Sequence, residues 1–378
     1  MKNKSPVVAE ISWAQVHAFR LARHHLAKRA PKKELTRVVG DIGGVQAQLM
    51  SAAEMQVGVR VNCTVGDVEA ALWRHKTLAK TWLMRGTLHL IPAADLPLYT
   101  AAMSRRWTRL SSAWVKYTGL TEPELRELFN AIGHELDHRP RTRQELIDAV
   151  SKGRSEQVQT VLRSGWGVVL KPVAGAGMLC FGPNRGQSVT FVRPEKWLGS
   201  WRAVDPDEAL VEIARRYLHA YGPATKDDFA RWWGGHTPGV GKVAWAGLAD
   251  ELAAVSIEGR RADILAVDLK RLGRSPDASP VRLLPLFDPY LMGHSNRDHL
   301  FDAAYRARVS RTAGWISAVV LVEGRVVATW THRVMKQTLR IEVEPFRKLP
   351  PRSRPEIRAR AEELASTLGL AKVELVVA

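Results

Sequence analysis

The chain has 378 residues, of which 46% are hydrophobic and 25% charged, as is usual for a globular protein with a sizeable core. It carries 56 Lys and Arg against 38 Asp and Glu. This net charge of +18 favours a polyanionic partner such as nucleic acid, although an Arg-rich solvated surface would give the same number. There is no run of about 18 apolar residues, no signal-peptide core and no Cys-x-x-Cys pair, so membrane spans, export, disulfides and structural zinc are not expected.

Several helix starts are marked by capping residues. Ser12 and Gln15 form a capping box, and apolar residues then follow at helical spacing. The same device recurs at three later places: Thr121–Glu124, Thr142–Glu145 and Asp205–Glu208. These patterns predict helices that begin near 13, 122, 143 and 206.

Three segments repeat one order of elements, in which three helices precede a β-hairpin. Helices from 13, 34 and 65 precede a hairpin that turns at Arg85–Gly86. Helices from 122, 143 and 156 precede one around Pro183–Gly186, and helices from 206, 225 and 238 precede one at Glu258–Gly259. Three helices and a hairpin make the winged-helix form of the helix-turn-helix. We therefore predict winged helices at 1–118, 119–203 and 204–275, although no sequence repeat is visible.

The sequence changes character after about residue 280. Alternating strands surround a turn at Glu323–Gly324, and a helix over about 353–369 precedes a last strand. This predicts a β-rich, small barrel-like domain at 280–378, reached through a Ser/Pro/Asp-rich linker at 274–279. The expected fold class is α+β.

Familiar enzyme motifs are absent. There is no P-loop, no HExxH and no GxSxG, so no cofactor is expected. His294 and His299 are five residues apart, which on a helix places them on different faces, and no third ligand is obvious. We therefore expect a structural or surface role for them and no metal.

Cations stand at the tips of the predicted hairpins. Wings commonly lie along a DNA backbone or enter the minor groove, where arginine is favoured, although arginine also solubilises exposed turns. The candidate DNA contacts at the three tips are Arg85, Gly86, Thr87, His89, Arg185, Arg260 and Arg261. His332 and Arg333, after the Gly324 turn, are candidates for a hairpin that wedges into the duplex. Trp82, beside the first tip, is expected in the core.

Gln46 and Gln48 flank Ala47 just behind two glycines. Gly43 and Gly44 disfavour a regular helix, and on an extended segment the two amides would project to one side. Such a pair could contact bases or phosphate, could orient one water molecule, or could be two ordinary loop amides. Spacing alone leaves these alternatives open.

Five stretches of the sequence together resemble one protein family. They are AQVHAFRLARHHL, GGVQAQLM, TWLMRGTLHLIP, LLPLFDPYLMGHSNR and AGWISAVVLVEGRVVATW, which occur in this order over nearly the whole chain. In them the chain resembles the AlkZ-type DNA glycosylases, a winged-helix family that includes the YcaQ-like enzymes. A Gln-hydrophobic-Gln or Gln-hydrophobic-Asp motif marks that family, and Gln46-Ala47-Gln48 occupies it with a small middle residue.

The resemblance implies a fold and an activity. It implies tandem winged helices with a C-terminal β domain, and a monofunctional glycosylase that excises alkylated purines. The AlkZ branch unhooks interstrand crosslinks, and the Gln-Ala-Gln form points to that branch. By this resemblance Gln46 and Gln48 would position the hydrolytic water. No lysine nucleophile accompanies the motif, so no Schiff base and no lyase step are expected.

The expected partner is double-stranded DNA, bound by a monomer at the nucleoid in the cytoplasm, with no membrane involved. A non-enzymatic winged-helix regulator is the main alternative. Such regulators usually bind a palindrome as dimers, which three unequal winged helices fit poorly. An RNA-binding module is a further alternative, but no aromatic RNP-like strand supports it.

Overall fold

A computed structural model describes residues 6–107, 110–164, 167–199, 201–234, 239–273 and 281–378. Helices and strands are mixed along the chain, which divides into two units. Unit 1 holds the described residues of 1–69, 214–235 and 239–378, and unit 2 those of 70–213. The linker predicted at 274–279 lies outside the described residues. Within the described ranges, no helix combines the length and apolarity that a bilayer crossing requires.

The first part of the chain contains short strands between helices. Its elements are β1 (Val7–Ile11), α1 (Trp13–Arg23), β2 (Ala30–Pro31), α2 (Leu35–Asp41), β3 (Val45–Gln46), α3 (Met50–Gly58), β4 (Val61–Asn62) and α4 (Val65–Glu69). The predicted capping box at Ser12 is confirmed. Helix α3 was not predicted, because six of its nine residues are buried and it lacks the polar face that marks a surface helix.

The second part, from residue 70 to 205, is mainly helical. Its elements are β5 (Leu78–Trp82), β6 (Leu88–Pro92), α5 (Leu96–Trp107), α6 (Ser112–Thr118), α7 (Glu122–Glu135), β7 (Arg141–Thr142), α8 (Arg143–Val150), α9 (Glu156–Arg163), α10 (Leu170–Gly175), β8 (Cys180–Arg185), β9 (Ser188–Val192) and α11 (Pro194–Leu198). The capping boxes predicted at Thr121 and Thr142 are confirmed. Helix α10 was missed, because its Pro172 indicates a break rather than a helix.

The third part carries the remaining elements. They are α12 (Pro206–Tyr221), α13 (Lys226–Trp233), α14 (Val240–Gly247), β10 (Leu252–Ile257), β11 (Arg260–Leu265), α15 (Leu269–Leu272), β12 (Arg282–Leu284), α16 (Pro289–Met292), α17 (Arg306–Val309), β13 (Val319–Val322), β14 (Arg325–Met335), β15 (Thr338–Pro345), α18 (Ser353–Thr367) and β16 (Lys372–Val377). The hairpins predicted at Glu258–Gly259 and Glu323–Gly324 are confirmed, since Ile257 pairs with Arg260 and Val322 with Arg325.

Unit 1 is built around a five-stranded sheet in the order β12-β13-β14-β15-β16. Strand β14 is antiparallel to both neighbours, and β16 runs parallel to β15. Apolar residues of this sheet, of α18 and of α3 share one buried core, which includes Met55, Leu284 and Ile357. A second sheet joins β1 to the β10–β11 hairpin, with β1 parallel to β10.

Unit 2 has its own hydrophobic core, to which the β5–β6 and β8–β9 hairpins contribute Trp82, Phe181 and Phe191. Strand β9 pairs with β7 and β8, and β5 pairs with β6. The predicted core position of Trp82 is confirmed, because its ring is buried and lies 4.8 Å from the ring of Phe181. The β8–β9 turn consists of Gly186 and Gln187, at the end of the predicted Pro183–Gly186, since Arg185 pairs with Ser188. The register of the two strands shifts between Gly182 and Arg185.

Candidate functional site

The Gln-Ala-Gln motif lies in a sharp connection between α2 and α3. Gly43 and Gly44 have φ values of +72° and +90°, which residues with a Cβ rarely adopt, so the predicted break in the helix is confirmed. A Cβ on Gly43 would also lie 3.0 Å from the Trp232 ring, so the backbone passes close to α13. The connection then enters the two-residue strand β3, which ends on Gln46.

The two glutamines have different environments. Gln46 is buried with 7% of its surface exposed, Ala47 is fully buried, and Gln48 is exposed. The Gln46 side-chain oxygen, Oε1, accepts no hydrogen bond from the part of the chain that the structure describes. A buried acceptor without a donor costs about 1–3 kcal/mol, so such an atom calls for a functional reason. Gln56 Oε1 and the two ring nitrogens of His24 are in the same state, so Gln46 Oε1 is one of several buried polar atoms of unit 1 without a partner among the described residues.

The Gln46 main chain is held by a side chain of α3. The Nε2 atom of the buried Gln56 donates to the Gln46 carbonyl oxygen at 3.4 Å and to the Leu286 carbonyl oxygen at 2.9 Å. The sequence reasoning missed Gln56, since it belongs to the helix that was not predicted. The only sequence feature related to the contact between Gln56 and Leu286 is the family-like stretch LLPLFDPYLMGHSNR, which contains Leu286.

Three histidines form a buried cluster elsewhere in unit 1. His17 and His299 are joined by a hydrogen bond of 3.1 Å between ring nitrogens, and the His299 ring stacks on Trp13 at 4.2 Å. Burial, and next the charge of Arg20, lower the pKa of both His17 and His294 to about 3 and that of His299 further. These imidazoles are therefore neutral at pH 7 and structural.

The histidine cluster corrects one argument made from spacing. His294 and His299 lie in a loop between α16 and α17 rather than on a helix, and their rings are 5.8 Å apart. Both are buried rather than on the surface. Among the described residues no group of three His, Cys, Asp or Glu side chains is arranged to hold a metal ion.

The first hairpin tip is less exposed than the sequence suggested. Arg85 and Gly86 both have positive φ, and Arg85 and Thr87 are half-buried. Arg85 Nη2 lies 3.1 Å from His89 Nε2, and because a guanidinium can only donate, His89 Nε2 is the acceptor of this hydrogen bond. The proton of the neutral imidazole is therefore on Nδ1, which donates to the Thr87 carbonyl oxygen at 2.9 Å. His89 is 1% exposed, and burial followed by the Arg85 charge lowers its pKa to about 3. His89, a candidate DNA contact, is therefore a buried imidazole that is neutral at pH 7 and bonded to Arg85.

The other two tips differ in how their arginines are engaged. Arg185 donates to Glu145 at 2.5 Å and to the Pro140 carbonyl oxygen at 2.6 Å, so part of its charge is already compensated. Arg260 and Arg261 are exposed at the end of β11, next to the Glu258–Gly259 turn. The third tip therefore presents two exposed cations side by side.

The hairpin formed by β14 and β15 is the longest in unit 1. Burial lowers the pKa of His332, whose ring lies 5.7 Å from the Trp330 ring. Arg333 is exposed, and beyond it Val334 and Met335 are exposed by 54% and 43%. The tip thus combines two exposed cations, Arg333 and Lys336, with two exposed apolar side chains.

Comparisons with known proteins give one consistent result. The family model described as "DNA glycosylase AlkZ-like" matches residues 39–367. A protein of Streptomyces sahachiroi named "Interstrand DNA cross-link repair glycosylase" is 38% identical over 94% of this chain and 95% of its own length. The solved structure of "Streptomyces sahachiroi DNA glycosylase AlkZ" superposes with a TM-score of 0.89, at 35% identity, over 98% of this chain and all of that one. The chain therefore belongs to the AlkZ-like family of DNA glycosylases, which are hydrolases that act on DNA.

Proposed function

We propose that this glycosylase hydrolyses the N-glycosidic bond of cationic, 7-alkylguanine-type purines in duplex DNA and can unhook interstrand crosslinks. The observation that carries this proposal is the buried amide of Gln46, whose Oε1 has no hydrogen-bond donor among the described residues. The relative named for interstrand crosslink repair supports the crosslink part, because it matches this chain over nearly its full length.

An amide suits a substrate that is already a good leaving group. Alkylation at purine nitrogen 7 places a positive charge on the base, which weakens the glycosidic bond and lets the base depart neutral. The remaining need is an oriented water and a dipole beside the developing sugar cation, rather than a strong base. The Gln46 Oε1 accepts hydrogen bonds without titrating, so it can provide both near neutral pH.

Gln48 is proposed as the second member of the catalytic pair. Gln48 is exposed, whereas Gln46 is buried. Gln46 would therefore bind the water from the protein side and Gln48 from the side that faces DNA. An amide pair gives modest help, and an undamaged neutral purine would not leave on such help. The proposed weakness of the catalyst is therefore a source of selectivity for damaged bases.

Alanine at either glutamine is expected to slow excision about 100-fold, the usual effect of removing one pre-positioned polar group from a transition state. The measurement is single-turnover release of 7-methylguanine from a duplex oligonucleotide, followed by cleavage of abasic sites in mild alkali. Gln46→Ala and Gln48→Ala are compared with Gln144→Ala, whose amide donates to Asp148 on α8.

DNA affinity and its salt dependence should be the same in all three variants, since none of these residues carries a charge. Excision by Gln46→Ala and Gln48→Ala at the wild-type rate would sink the catalytic assignment. If the wild type releases no 7-methylguanine, the proposed substrate class is wrong, and only DNA binding remains.

The third hairpin tip is proposed to grip the phosphate backbone through Arg260 and Arg261. Each phosphate contact contributes about 0.9 to the slope of log affinity against log salt, so the variant with both arginines replaced by alanine should lose about 2 from that slope. Arg126→Ala/Arg154→Ala is the matched control, since it removes the same charge from two arginines paired with Glu122 and Glu127. Binding to undamaged duplex is measured at several salt concentrations. Equal slopes for the two double variants would rule out the proposed grip.

The other predicted residues of the first two hairpin tips are also proposed to take part in DNA binding, but to different extents. At the first tip Arg85, Gly86 and Thr87 are proposed to approach DNA, with His89 acting only through Arg85. Arg185 would first have to leave Glu145, so a smaller contribution is proposed for it.

The β14–β15 hairpin is proposed as the wedge. There Arg333 and His332 precede Val334 and Met335, which are exposed beside the Lys336–Gln337 turn. Apolar side chains of this kind unstack base steps. A crosslinked base cannot swing out of the duplex as ordinary base flipping requires, so access from the groove is needed.

For the architecture we propose winged helices at 1–118, 119–203 and 204–275, followed by a β-rich domain at 280–378. In each of the first three segments, helices precede a hairpin in the observed element order. We further propose that the protein acts as a monomer on chromosomal DNA.

A further inference from the structure

A fully buried ion pair in unit 1, Arg60–Asp288, is connected through Gln56 to the loop at 42–49 that carries Gln46, called the motif loop below. Arg60 donates to Asp288 through two nitrogens, at 2.8 Å and 2.6 Å, and neither side chain has any exposed surface. Asp288 also accepts the main-chain N–H of Tyr290 at the start of α16. The ion pair therefore ties the segment around residue 288 to the end of α3.

The same arginine orients the neighbouring helix. Arg60 Nη1 donates to the Gln56 carbonyl oxygen at 2.8 Å, which satisfies one of the last carbonyls of α3. From that helix the Gln56 side chain donates to both Leu286 and Gln46, as described above. Both acceptors are carbonyl oxygens, so the amide must present its NH₂ group to them, and the flipped orientation would place oxygen against oxygen.

The anchor segment is itself held in an unusual conformation. Phe287, between Leu286 and Asp288, has a φ of +58°, which a side chain with a Cβ rarely adopts. Such a conformation persists where the surroundings over-determine it. Here Gln56 holds the residue before Phe287 and Arg60 holds the residue after it.

The segment that carries Gln46 has little regular structure of its own. Strand β3 is two residues long, and it follows two glycines in left-handed geometry. A main chain of this kind needs a partner in the tertiary structure to keep one side chain within a fraction of an ångström. The Gln56 amide is one such partner, from a helix fixed through Arg60 and Asp288.

We propose that Gln56 is a positioning residue for excision: its amide holds the Gln46 main chain against the 286–288 segment, and so sets where Gln46 Oε1 meets the water. This inference rests on the proposed catalytic role of Gln46. Gln56 is fully buried, so it acts through Gln46 and not by touching DNA.

The test is a double-mutant cycle between positions 56 and 46. Gln56→Met keeps the length and volume but removes both donors, and Met55→Leu, a volume-conserving change on the same helix, is the control. Single-turnover excision of 7-methylguanine is measured for each change in the wild-type and Gln46→Ala backgrounds, after subtraction of spontaneous base loss. Gln56→Asn, which keeps the amide but shortens its reach, serves as a second variant if Gln56→Met does not fold.

We expect Gln56→Met to slow excision about tenfold in the wild-type background and to have no further effect in Gln46→Ala, because the coupling of interacting residues disappears with one partner. DNA affinity should be unchanged in both backgrounds. A wild-type rate for Gln56→Met, or the same loss in both backgrounds, overturns the positioning role and leaves the proposed function standing. A wild-type rate for Gln46→Ala itself overturns both.

Discussion

Replacing Asp288 by alanine is expected to lower the free energy of unfolding by about 3–5 kcal/mol, because it leaves the buried guanidinium of Arg60 without a counter-ion. Neither residue of the pair has exposed surface, so water cannot replace the lost carboxylate. The main-chain N–H of Tyr290 loses its acceptor in the same change. The segment that anchors Gln56 should loosen as well, so excision should slow along with the loss of stability.

Urea denaturation followed by circular dichroism measures this loss. Asp302→Ala is the matched control, since Asp302 bridges to Arg325 and Arg347 at the surface, where a pair contributes about 0–1 kcal/mol. The double variant Arg60→Met/Asp288→Leu should recover much of the stability, because two apolar side chains replace the two charges. Equal losses for Asp288→Ala and Asp302→Ala would contradict the importance given to the buried pair.

Replacing Gly293 by alanine is expected to destabilise the protein by about 1–3 kcal/mol or more, through overpacking. A Cβ there would lie 2.1 Å from Cδ1 of Tyr221 and 2.7 Å from its Cε1. That ring has no free direction in which to move, since it is buried against His24 and its hydroxyl donates to the Ile42 carbonyl oxygen at 2.9 Å. Ile42 directly precedes the glycine pair of the motif loop, so the displaced ring would also disturb the approach to Gln46.

Gly273→Ala provides a closely matched control for this change. Both glycines follow the last residue of a short helix, with φ values of −71° and −70°. Among the residues that the structure describes, a Cβ on Gly273 meets only the Leu269 carbonyl oxygen, at an ordinary 3.8 Å. Its alanine variant should be neutral or slightly more stable, by up to about 1 kcal/mol, because the unfolded chain loses freedom. Thermal unfolding of the two variants side by side tests this, and similar melting temperatures would show that the ring of Tyr221 yields.

The sequence predicted well where a signal is local. The capping boxes at Ser12, Thr121 and Thr142 were confirmed because a hydroxyl and an amide or carboxylate three residues apart can pair only at a helix start. The turns at Glu258–Gly259 and Glu323–Gly324 were confirmed for a similar reason, since the two residues of each turn have positive φ.

It predicted poorly where burial removes the pattern. Helix α3 is buried over most of its length, so its sequence lacks the polar face from which a helix is predicted. Gln56 lies on this helix and was therefore missed as well. The helical spacing assumed for His294 and His299 failed because that segment is a loop whose residues are held by tertiary contacts. His89 was chosen for its place beside the first hairpin tip, yet it is buried and bonded to Arg85.

The sequence by itself determined the family, the strong positive charge and the identity of the two motif amides, because each of these is a property of residue types in order. Only the tertiary structure decided that Gln46 is buried, with a side-chain oxygen that no described residue donates to, while Gln48 is exposed. It also brought Arg60 to Asp288 across 228 residues of chain, and Gln56 to Leu286 across 230. Spacing carries information about neighbours along a helix or strand, whereas such pairs are selected by packing of the whole unit, which no short stretch encodes.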